Sequence, residues 1–281
     1  MAISRYKIII SAFICLCTAI SADEIIVVDD WQREVLLDRP AHRIITLAPH
    51  LGELVYTAGG GDFLLGVSEH SDYPPQIRKL PIVADYRTFN QELLVKLAPD
   101  LILVWGVMLK QPVFQRLIST GYSFYISEPQ DFADIAKTLE DIGVLIGQPQ
   151  TAWRRAEQFR QTIASLRREQ QATHRTAYLL WLKPTLSINR TSWISKAISL
   201  CGGINIYADL EPQVVRLGRE ALLLSKPDYI IHSLESGVDQ AAIISLFGDN
   251  IPTHYVDADL IQRPSLRIVQ GVEKICRIYN P

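Results

Sequence analysis

The chain lacks the features that mark several classes of protein. Its 28 lysine and arginine residues nearly balance 30 aspartate and glutamate residues, for a formal net charge of −2, and no long basic run occurs. Nucleic-acid binding therefore has no electrostatic support. The sequence also contains no Gly-x-Ser-x-Gly elbow, no His-Glu-x-x-His helix and no phosphate-binding glycine loop. We therefore expect a protein that is not an enzyme and has no catalytic residues.

Long apolar runs are missing after residue 22, and the single run before it is typical of an export signal. Arg5 and Lys7 give a positive start, residues 8–22 are apolar or small, and Ile20-Ser21-Ala22 is a suitable cleavage site. The run is too short to favour a membrane span, although a retained anchor is the alternative. We predict that residues 1–22 are a signal peptide.

Cysteine is scarce as well. Of four cysteines, Cys15 and Cys17 leave with the predicted signal, so that Cys201 and Cys276 remain. In an oxidising compartment, an even pair of cysteines favours a disulfide. Two buried free thiols are the alternative, and metal ligation by two cysteines so far apart is disfavoured.

One pattern occurs twice in the sequence. Glu92 stands seven residues before Pro99-Asp100, and Glu220 stands seven residues before Pro227-Asp228. An apolar, β-rich run follows each Pro-Asp pair, so each copy predicts a helix, a turn and a strand. Each glutamate would lie in the first turn of its helix, where the macrodipole favours an anion. The repetition indicates two lobes of like design.

Predicted strands and helices alternate along both halves of the chain, which indicates an α/β fold with mostly parallel sheets. We predict two Rossmann-like lobes, over residues 23–147 and 175–281. Residues 148–174 are expected to form one long connecting helix of about 36 Å, without internal glycine or proline. Its predicted apolar stripe, in steps of three and four residues, consists of Trp153, Ala156, Phe159, Ile163 and Leu166.

Several segments resemble those of a known family. They are residues 43–49 with Glu53, 66–68, 71–76, 90–92 and 99–101 in the first lobe, and residues 201–205, 219–220 and 263–265 with Cys276 in the second. Over residues 42–280 the chain resembles the helical-backbone, or class III, substrate-binding proteins of ABC importers, which carry siderophores, haem and cobalamin. The Ser71-Asp72-Tyr73-Pro74-Pro75 stretch and the paired cysteines are typical of the cobalamin branch.

The resemblance implies a monomeric periplasmic receptor that binds cobalamin or a related corrinoid in the cleft between its lobes. It implies no further cofactor. By position, the ligand contacts of the family match His70, Tyr86, Trp105, Trp181, Asp259, Leu260, Ile261, Gln262 and Arg263. The alternative for Trp105 and Trp181 is a place in the core, and for His70 it is a polar position in a loop. Asp259 and Arg263 could instead simply pair with each other near the surface.

The resemblance also assigns a role to the two repeated glutamates. In the family, such residues enter arginine pockets on the two copies of the importer's membrane permease, and Glu92 and Glu220 match them. The alternative is that both are only favourable carboxylates on a solvated helix start, each contributing a few tenths of a kcal/mol.

Three other functions stay open. A siderophore or haem-iron receptor of the same class is the first alternative, because residues 214–217 lack the aromatic side chain expected there. An exported enzyme or a sensory ectodomain is the second. His50, His70 and Asp259 raise direct metal binding, which we disfavour because the ligand set of metal receptors is not visible.

Overall fold

A computed structural model describes residues 24–168, 173–234 and 240–280, so the predicted signal peptide at 1–22 lies outside the described residues. The strands are β1 (Ile25–Val28), β2 (Glu34–Leu37), β3 (Ile44–Thr46), β4 (Leu64–Ser68), β5 (Ile82–Ala84), β6 (Leu101–Trp105), β7 (Phe124–Ser127), β8 (His174–Leu179), β9 (Trp181–Leu182), β10 (Thr185–Ile188), β11 (Gly203–Asn205), β12 (Val214–Arg216), β13 (Tyr229–His232) and β14 (Thr253–Tyr255). The α-helices are α1 (Pro49–Thr57), α2 (Gln91–Leu97), α3 (Pro112–Ile118), α4 (Phe132–Leu145), α5 (Pro149–Leu166), α6 (Trp193–Leu200), α7 (Arg219–Ser225), α8 (Gln240–Phe247), α9 (Ala258–Ile261) and α10 (Ile268–Tyr279). Within these described ranges, no helix is both long and apolar enough to cross a bilayer.

The first lobe is built on a parallel sheet with the strand order β5-β4-β3-β6-β7. Its central strands are apolar and buried along nearly their whole length, as expected for strands with helices on both faces. The β3–α1–β4 and β5–α2–β6 crossovers step in opposite directions along this sheet. Because such crossovers are right-handed, α1 and α2 cover opposite faces.

The second lobe repeats this plan in a parallel sheet ordered β11-β8-β13-β14. Strand β8 takes the place of β3, and β13 follows α7 as β6 follows α2. An antiparallel sheet of β12, β10 and β9 lies in the same half of the chain. The predicted fold class, two α/β lobes joined by one helix, is confirmed.

The first Pro-Asp pair joins the end of α2 to the start of the sheet. Helix α2 ends at Ala98 in the left-handed conformation, with φ 42° and ψ 63°. The Arg43 side chain donates to the carbonyl oxygens of Leu97 and Ala98 at 2.5 and 2.9 Å, which caps this helix end. In return, the Asp100 carboxylate accepts the Arg43 backbone N–H at 2.9 Å. The turn therefore fixes α2 to strand β3.

The second copy has the same construction. Helix α7 ends at Lys226 with φ 41° and ψ 64°. Arg175 donates to the carbonyl oxygens of Ser225 at 2.9 Å and Lys226 at 3.4 Å, and the Asp228 carboxylate accepts the Arg175 N–H at 2.9 Å. The sequence repeat is thus a repeat of structure, and it holds α2 and α7 to equivalent strands of the two sheets.

Helix α5 connects the lobes but is shorter than predicted. It has 18 residues, or about 27 Å, and ends at Leu166. The predicted end near His174 is wrong, because the backbone is already extended at Arg167, with φ −63° and ψ 129°. The predicted stripe is also wrong at Trp153, which is 57% exposed; Ala152 is buried instead.

A glycine explains why Ala152 faces inward. Helices α4 and α5 pack together, and a Cβ atom built on Gly143 of α4 would overlap the Cβ of Ala152. Only a residue without a side chain lets the two helices approach this closely. The contact turns α5 so that Ala152, Ala156, Phe159 and Ile163 face the core.

The predicted disulfide is confirmed: Cys201, just after α6, bonds to Cys276 in α10. Both residues are buried, so the bond lies within the core of the second lobe. It closes a loop of 75 residues. A loop of this length contributes about 4 kcal/mol in the chain-entropy model.

We expect Gly143→Ala to lower the free energy of unfolding by about 1–3 kcal/mol, because the added methyl group must push α4 and α5 apart. Urea unfolding of the wild type and the variant measures the difference. Gly218→Ala is the control, since a Cβ at Gly218 meets nothing within 4 Å. Equal losses in the two variants would contradict the close helix contact.

Candidate functional site

The two lobes meet at the carboxyl ends of the first sheet. Open α/β sheets generally bind ligands at this edge. From the first lobe, the residues here belong to α1 and to the loop after β4. From the second lobe, they belong to α9 and to the segment that leads into α10. We call Glu53, Asp72, Arg263, Ser265 and Arg267 the interlobe cluster.

Glu53 is the centre of the interlobe cluster. It lies in the middle of α1, is only 3% exposed, and finds all its side-chain partners in the other lobe. The Ser265 hydroxyl donates to its Oε2 at 2.6 Å. The guanidinium groups of Arg263 and Arg267 donate to its Oε1 at 3.3 and 3.2 Å. A buried carboxylate needs such partners to remain charged.

Arg263 is shared among three carboxylates. Besides Glu53, its Nη1 contacts Asp72 Oδ1 at 2.6 Å, and its Nη2 contacts Asp259 Oδ1 at 2.7 Å. Asp259 stands four residues before Arg263, in α9, whose first turn Asp257 caps by accepting the Asp259 N–H at 2.9 Å. The cap therefore positions both members of this ion pair on one side of the segment.

Arg267 makes a second cross-lobe contact. Its guanidinium carbon lies 4.1 Å from the centre of the Tyr73 ring, in the loop after β4 of the first lobe. This is a cation–π geometry. Tyr73 itself is exposed, so this contact lies at the surface.

Burial and pairing act against each other on the carboxylates of the interlobe cluster. Burial raises the pKa of Glu53, and the Ser265 hydrogen bond with the two guanidinium charges opposes that rise. For Asp72, burial also favours the neutral acid, but the hydrogen bond and charge of Arg263 outweigh it and lower the pKa. Asp72 is less buried than Glu53, which explains the different outcome.

His50 lies beside the interlobe cluster. It occupies the first turn of α1, is buried, and packs edge-on against Trp105 with ring centres 5.4 Å apart. Its Nε2 has no hydrogen-bond partner among the residues that the structure describes. Burial, with the nearby charge of Arg263, lowers the pKa of His50 to about 3. The imidazole is therefore neutral at ordinary pH.

The structure brings several of the expected ligand contacts together. Trp105 contacts His50, which lies near Arg263, and Arg263 pairs with Asp259. Gln111, just beyond the turn that follows β6, donates from its side chain to the Tyr86 carbonyl oxygen at 2.5 Å, which ties the Tyr86 loop to that turn. The Tyr86 ring itself is exposed.

The other expected ligand contacts range from exposed to completely buried. His70 is exposed in a left-handed turn, and Trp181 is 49% exposed, with its indole N–H donating to the Lys183 carbonyl oxygen at 3.1 Å. Leu260 and Gln262 are partly exposed. The side chain of Ile261 is completely buried in this structure, and its ligand contact stays a prediction. In the short helix α9 it faces the core, where its carbonyl accepts the Trp193 indole N–H at 2.8 Å.

Sequence reasoning assigned no role to four members of the interlobe cluster: Glu53, Asp72, Ser265 and Arg267. Glu53 did carry a signal, because it is the one charged residue in an otherwise apolar helical segment between Leu51 and Val55. A charge at such a position is buried and must find partners. Those partners are more than 200 residues away in sequence, so no local pattern identifies them.

A groove of about 710 Å³ lies elsewhere, between α5, α6 and the start of α4. None of the expected ligand contacts lines it. Three of its cations already have acidic partners, namely Arg160 with Glu140, Lys196 with Asp131, and Arg190 with Asp209. Because none of the expected ligand contacts lines this groove, we do not assign the ligand to it.

The two histidines that suggested metal binding differ in their exposure to solvent. His50 is buried, whereas His70 is exposed beside Glu69. Throughout the described part of the chain, no three His, Cys, Asp or Glu side chains are grouped so as to hold a metal ion.

The neutral His50 predicts a pH-dependent stability. Its pKa falls from 6.5 to about 3 on folding, so the unfolded chain takes up the proton first. Stability from this group is full above pH 6.5 and is lost as the pH falls towards 3. Between pH 7.5 and 5.0, we expect His50 to account for a loss of about 2 kcal/mol.

The measurement is urea unfolding of the wild type and His50→Gln at both pH values. Other groups titrate equally in the two proteins, so the difference between their pH slopes isolates His50. Parallel slopes would contradict a buried, neutral imidazole.

Comparison with known proteins gives consistent matches. The family model described as periplasmic binding protein matches residues 44–267. The vitamin B12-binding protein of Vibrio cholerae is 34% identical over 246 residues, which cover 84% of this chain and 88% of that protein. The vitamin B12-binding protein of Yersinia pestis is 33% identical over 240 residues, which cover 84% of this chain and 86% of that protein.

Solved structures agree in fold. The crystal structure of the periplasmic vitamin B12 binding protein of Vibrio cholerae aligns with a TM-score of 0.76 at 34% identity, covering 85% of this chain and 96% of that one. The periplasmic haem binding protein of the same species aligns with a TM-score of 0.72 at 20% identity, over 85% of this chain and 100% of that one. At that identity the likeness concerns the fold alone.

The family match spans both lobes and the helix between them, and the relatives are matched over most of their own length. The chain therefore belongs to the periplasmic binding protein family.

Proposed function

We propose that this chain is a periplasmic receptor that captures cobalamin or a related corrinoid between its lobes and delivers it to an ABC importer. The observation that carries the proposal is the similarity to vitamin B12-binding proteins along nearly the whole chain. Haem-binding proteins share the fold at lower identity, which supports the iron-chelate alternative less. In this proposal, residues 1–22 are the export signal, and the receptor acts as a monomer.

The chemistry of the site fits this ligand class. A corrinoid presents a broad, partly apolar ring with neutral amide arms. Tyr86 and Trp181 offer exposed aromatic surfaces from the two lobes, and Trp105 lies beside the interlobe cluster. Arg263 and Asp259 offer a donor and an acceptor for amides. His70, Leu260 and Gln262 complete the proposed contacts.

The construction of the lobes favours small movements on binding. Helix α5 joins them without internal glycine or proline, and Glu53 ties the first lobe to Ser265 and Arg267 of the second. A wide hinge closure would have to break these buried contacts. We therefore propose that the ligand enters by a small opening at the seam.

Delivery requires a surface that the permease can recognise, and Glu92 and Glu220 supply it in this proposal. Both glutamates are exposed in the first turn of equivalent helices, α2 and α7. Leu94 and Leu222, each two residues further on, are buried against their lobes, so the glutamates face away from them. Two equivalent carboxylates suit a permease dimer with one basic socket on each copy.

The first test is isothermal titration calorimetry of the purified protein with cyanocobalamin. We expect one-to-one binding with a dissociation constant in the micromolar range or tighter, because an aromatic-walled cleft buries much of the ring. Haemin and a ferric siderophore serve as competitors. If an iron chelate gives binding heat and cyanocobalamin gives none, the corrinoid proposal is wrong and the iron-chelate alternative takes its place.

A matched pair of tryptophan variants locates the ligand within the same titration. We expect Trp181→Ala to weaken cyanocobalamin binding about tenfold, the loss of one aromatic contact. Trp153→Ala should leave it unchanged, because Trp153 is similarly exposed but lies on α5. Equal affinities for the two variants would remove Trp181 from the site.

The docking role has a separate test. We expect the double variant Glu92→Arg with Glu220→Arg to bind cyanocobalamin normally but to lose its stimulation of the importer's ATPase, since like charges would meet at both sockets. The assay uses the importer reconstituted in liposomes. Normal stimulation by this variant would show that the two carboxylates are only helix-start residues.

A further inference from the structure

The groove of about 710 Å³ beside α5 has no part in the proposed corrinoid site. Both lobes line it, with Phe132 at the start of α4 from the first lobe and Leu200 at the end of α6 from the second. Helix α5 contributes Phe159 and Ile163 to the lining. The volume lies within the range of pockets that hold small molecules.

The bottom of the groove is apolar. Phe159, Ile163 and Leu200 line it although each of them is buried. Phe132 packs edge-on against Phe159, with ring centres 6.5 Å apart. A ligand in the groove would therefore rest on aromatic and aliphatic side chains.

The buried amide in the lining is already satisfied within the second lobe. Asn205 donates from Nδ2 to the Ile188 carbonyl oxygen at 2.8 Å and to the Ser195 hydroxyl at 3.0 Å. Its Oδ1 accepts the Tyr207 N–H at 3.0 Å. Both ends of the amide are thus occupied. Polar recognition of a ligand is left to the residues at the rim.

The rim of the groove is basic. Among the described residues that line it, five are cations, and one, Asp131, is an acid. Three of the cations have the acidic partners given above. The other two, Arg167 and Arg168, are exposed and form no ion pair within the part of the chain that the structure describes. The groove therefore keeps two cations that no described acid pairs with.

These two arginines are held next to the apolar bottom. The Arg168 backbone N–H donates to the Leu200 carbonyl oxygen at 3.0 Å, and the Arg167 N–H donates to that of Ala164 at 3.2 Å. Leu200 and Ala164 both line the groove. A guanidinium group presents several N–H donors in one plane, an arrangement that matches the oxygens of an anionic group.

We propose that this groove is a second ligand site, and that it binds an anion with an apolar body, of the fatty-acid type. Arg167 and Arg168 bind the anionic group, while Phe159, Ile163 and Leu200 contact the apolar body. A neutral molecule gains nothing from the two guanidinium charges, so the site favours anions. The inference does not depend on the corrinoid proposal, because none of the proposed corrinoid contacts lines the groove.

The test uses anilinonaphthalene sulfonate, an apolar anion whose fluorescence rises when it leaves water. We titrate the dye into the mature full-length protein and expect one saturable site. Laurate should displace the dye. Dodecyl maltoside has the same alkyl chain but no charge, and below its micelle concentration it should not. Cyanocobalamin should leave the dye in place.

Two variants locate the dye and laurate in the groove. Arg167→Gln with Arg168→Gln should weaken the binding of both about tenfold, because it removes the unpaired cations and keeps the apolar bottom. The matched control is Arg154→Gln with Arg155→Gln, an adjacent exposed pair on α5 outside the groove lining, which should bind both normally. Ala164→Phe puts a ring into the groove and should also weaken both by about tenfold.

The outcomes separate this inference from the corrinoid proposal. If the Arg167 and Arg168 variant or Ala164→Phe binds laurate like the wild type, the groove is not the site and the inference is overturned. Displacement of the dye by cyanocobalamin would also overturn it, because the dye would then lie in the interlobe cleft. If laurate binds as expected and cyanocobalamin gives no binding at all, the corrinoid proposal fails and the groove site stands.

Discussion

One buried carboxylate holds the two lobes in register. Glu53 belongs to the first lobe, yet Ser265, Arg263 and Arg267, the partners that satisfy it, all belong to the second. Removing the partners of a buried charge typically costs 3–5 kcal/mol. A wide separation of the lobes at this seam would carry such a cost. The seam is therefore a fixed point between the two lobes, which α5 also joins.

The same cluster shapes the proposed site. Arg263 is neutralised by Glu53, Asp72 and Asp259, and Arg267 by Glu53. With their charges already paired, these cations suit the neutral amides of a corrinoid better than the carboxylates of an anionic chelate. The aromatic side chains around the seam then supply the apolar surface. Under the proposed function, ligand selection and lobe spacing depend on one set of contacts, while the proposed docking helices are built separately at the Pro-Asp turns.

Sequence reasoning succeeded where the determinants are local. The Pro-Asp turns, the strand and helix alternation, and the cysteine pair of the exported chain led to the observed fold and disulfide. It missed features that depend on packing between segments distant in the sequence. The burial of Ile261 depends on α9 facing the core, and the exposure of Trp153 depends on the contact of Gly143 with α5. Glu53 carried a signal of burial, but its partners lie in the other lobe.

A crystal structure of the protein grown with cyanocobalamin tests the central claim, that the interlobe seam is a corrinoid site. The account predicts density for the corrin ring between Trp105 and Trp181, with an amide arm within hydrogen-bond distance of Arg263. The Glu53–Ser265 contact should persist in the complex. Corrin density in the groove beside α5, or lobes parted at Glu53, would contradict the account.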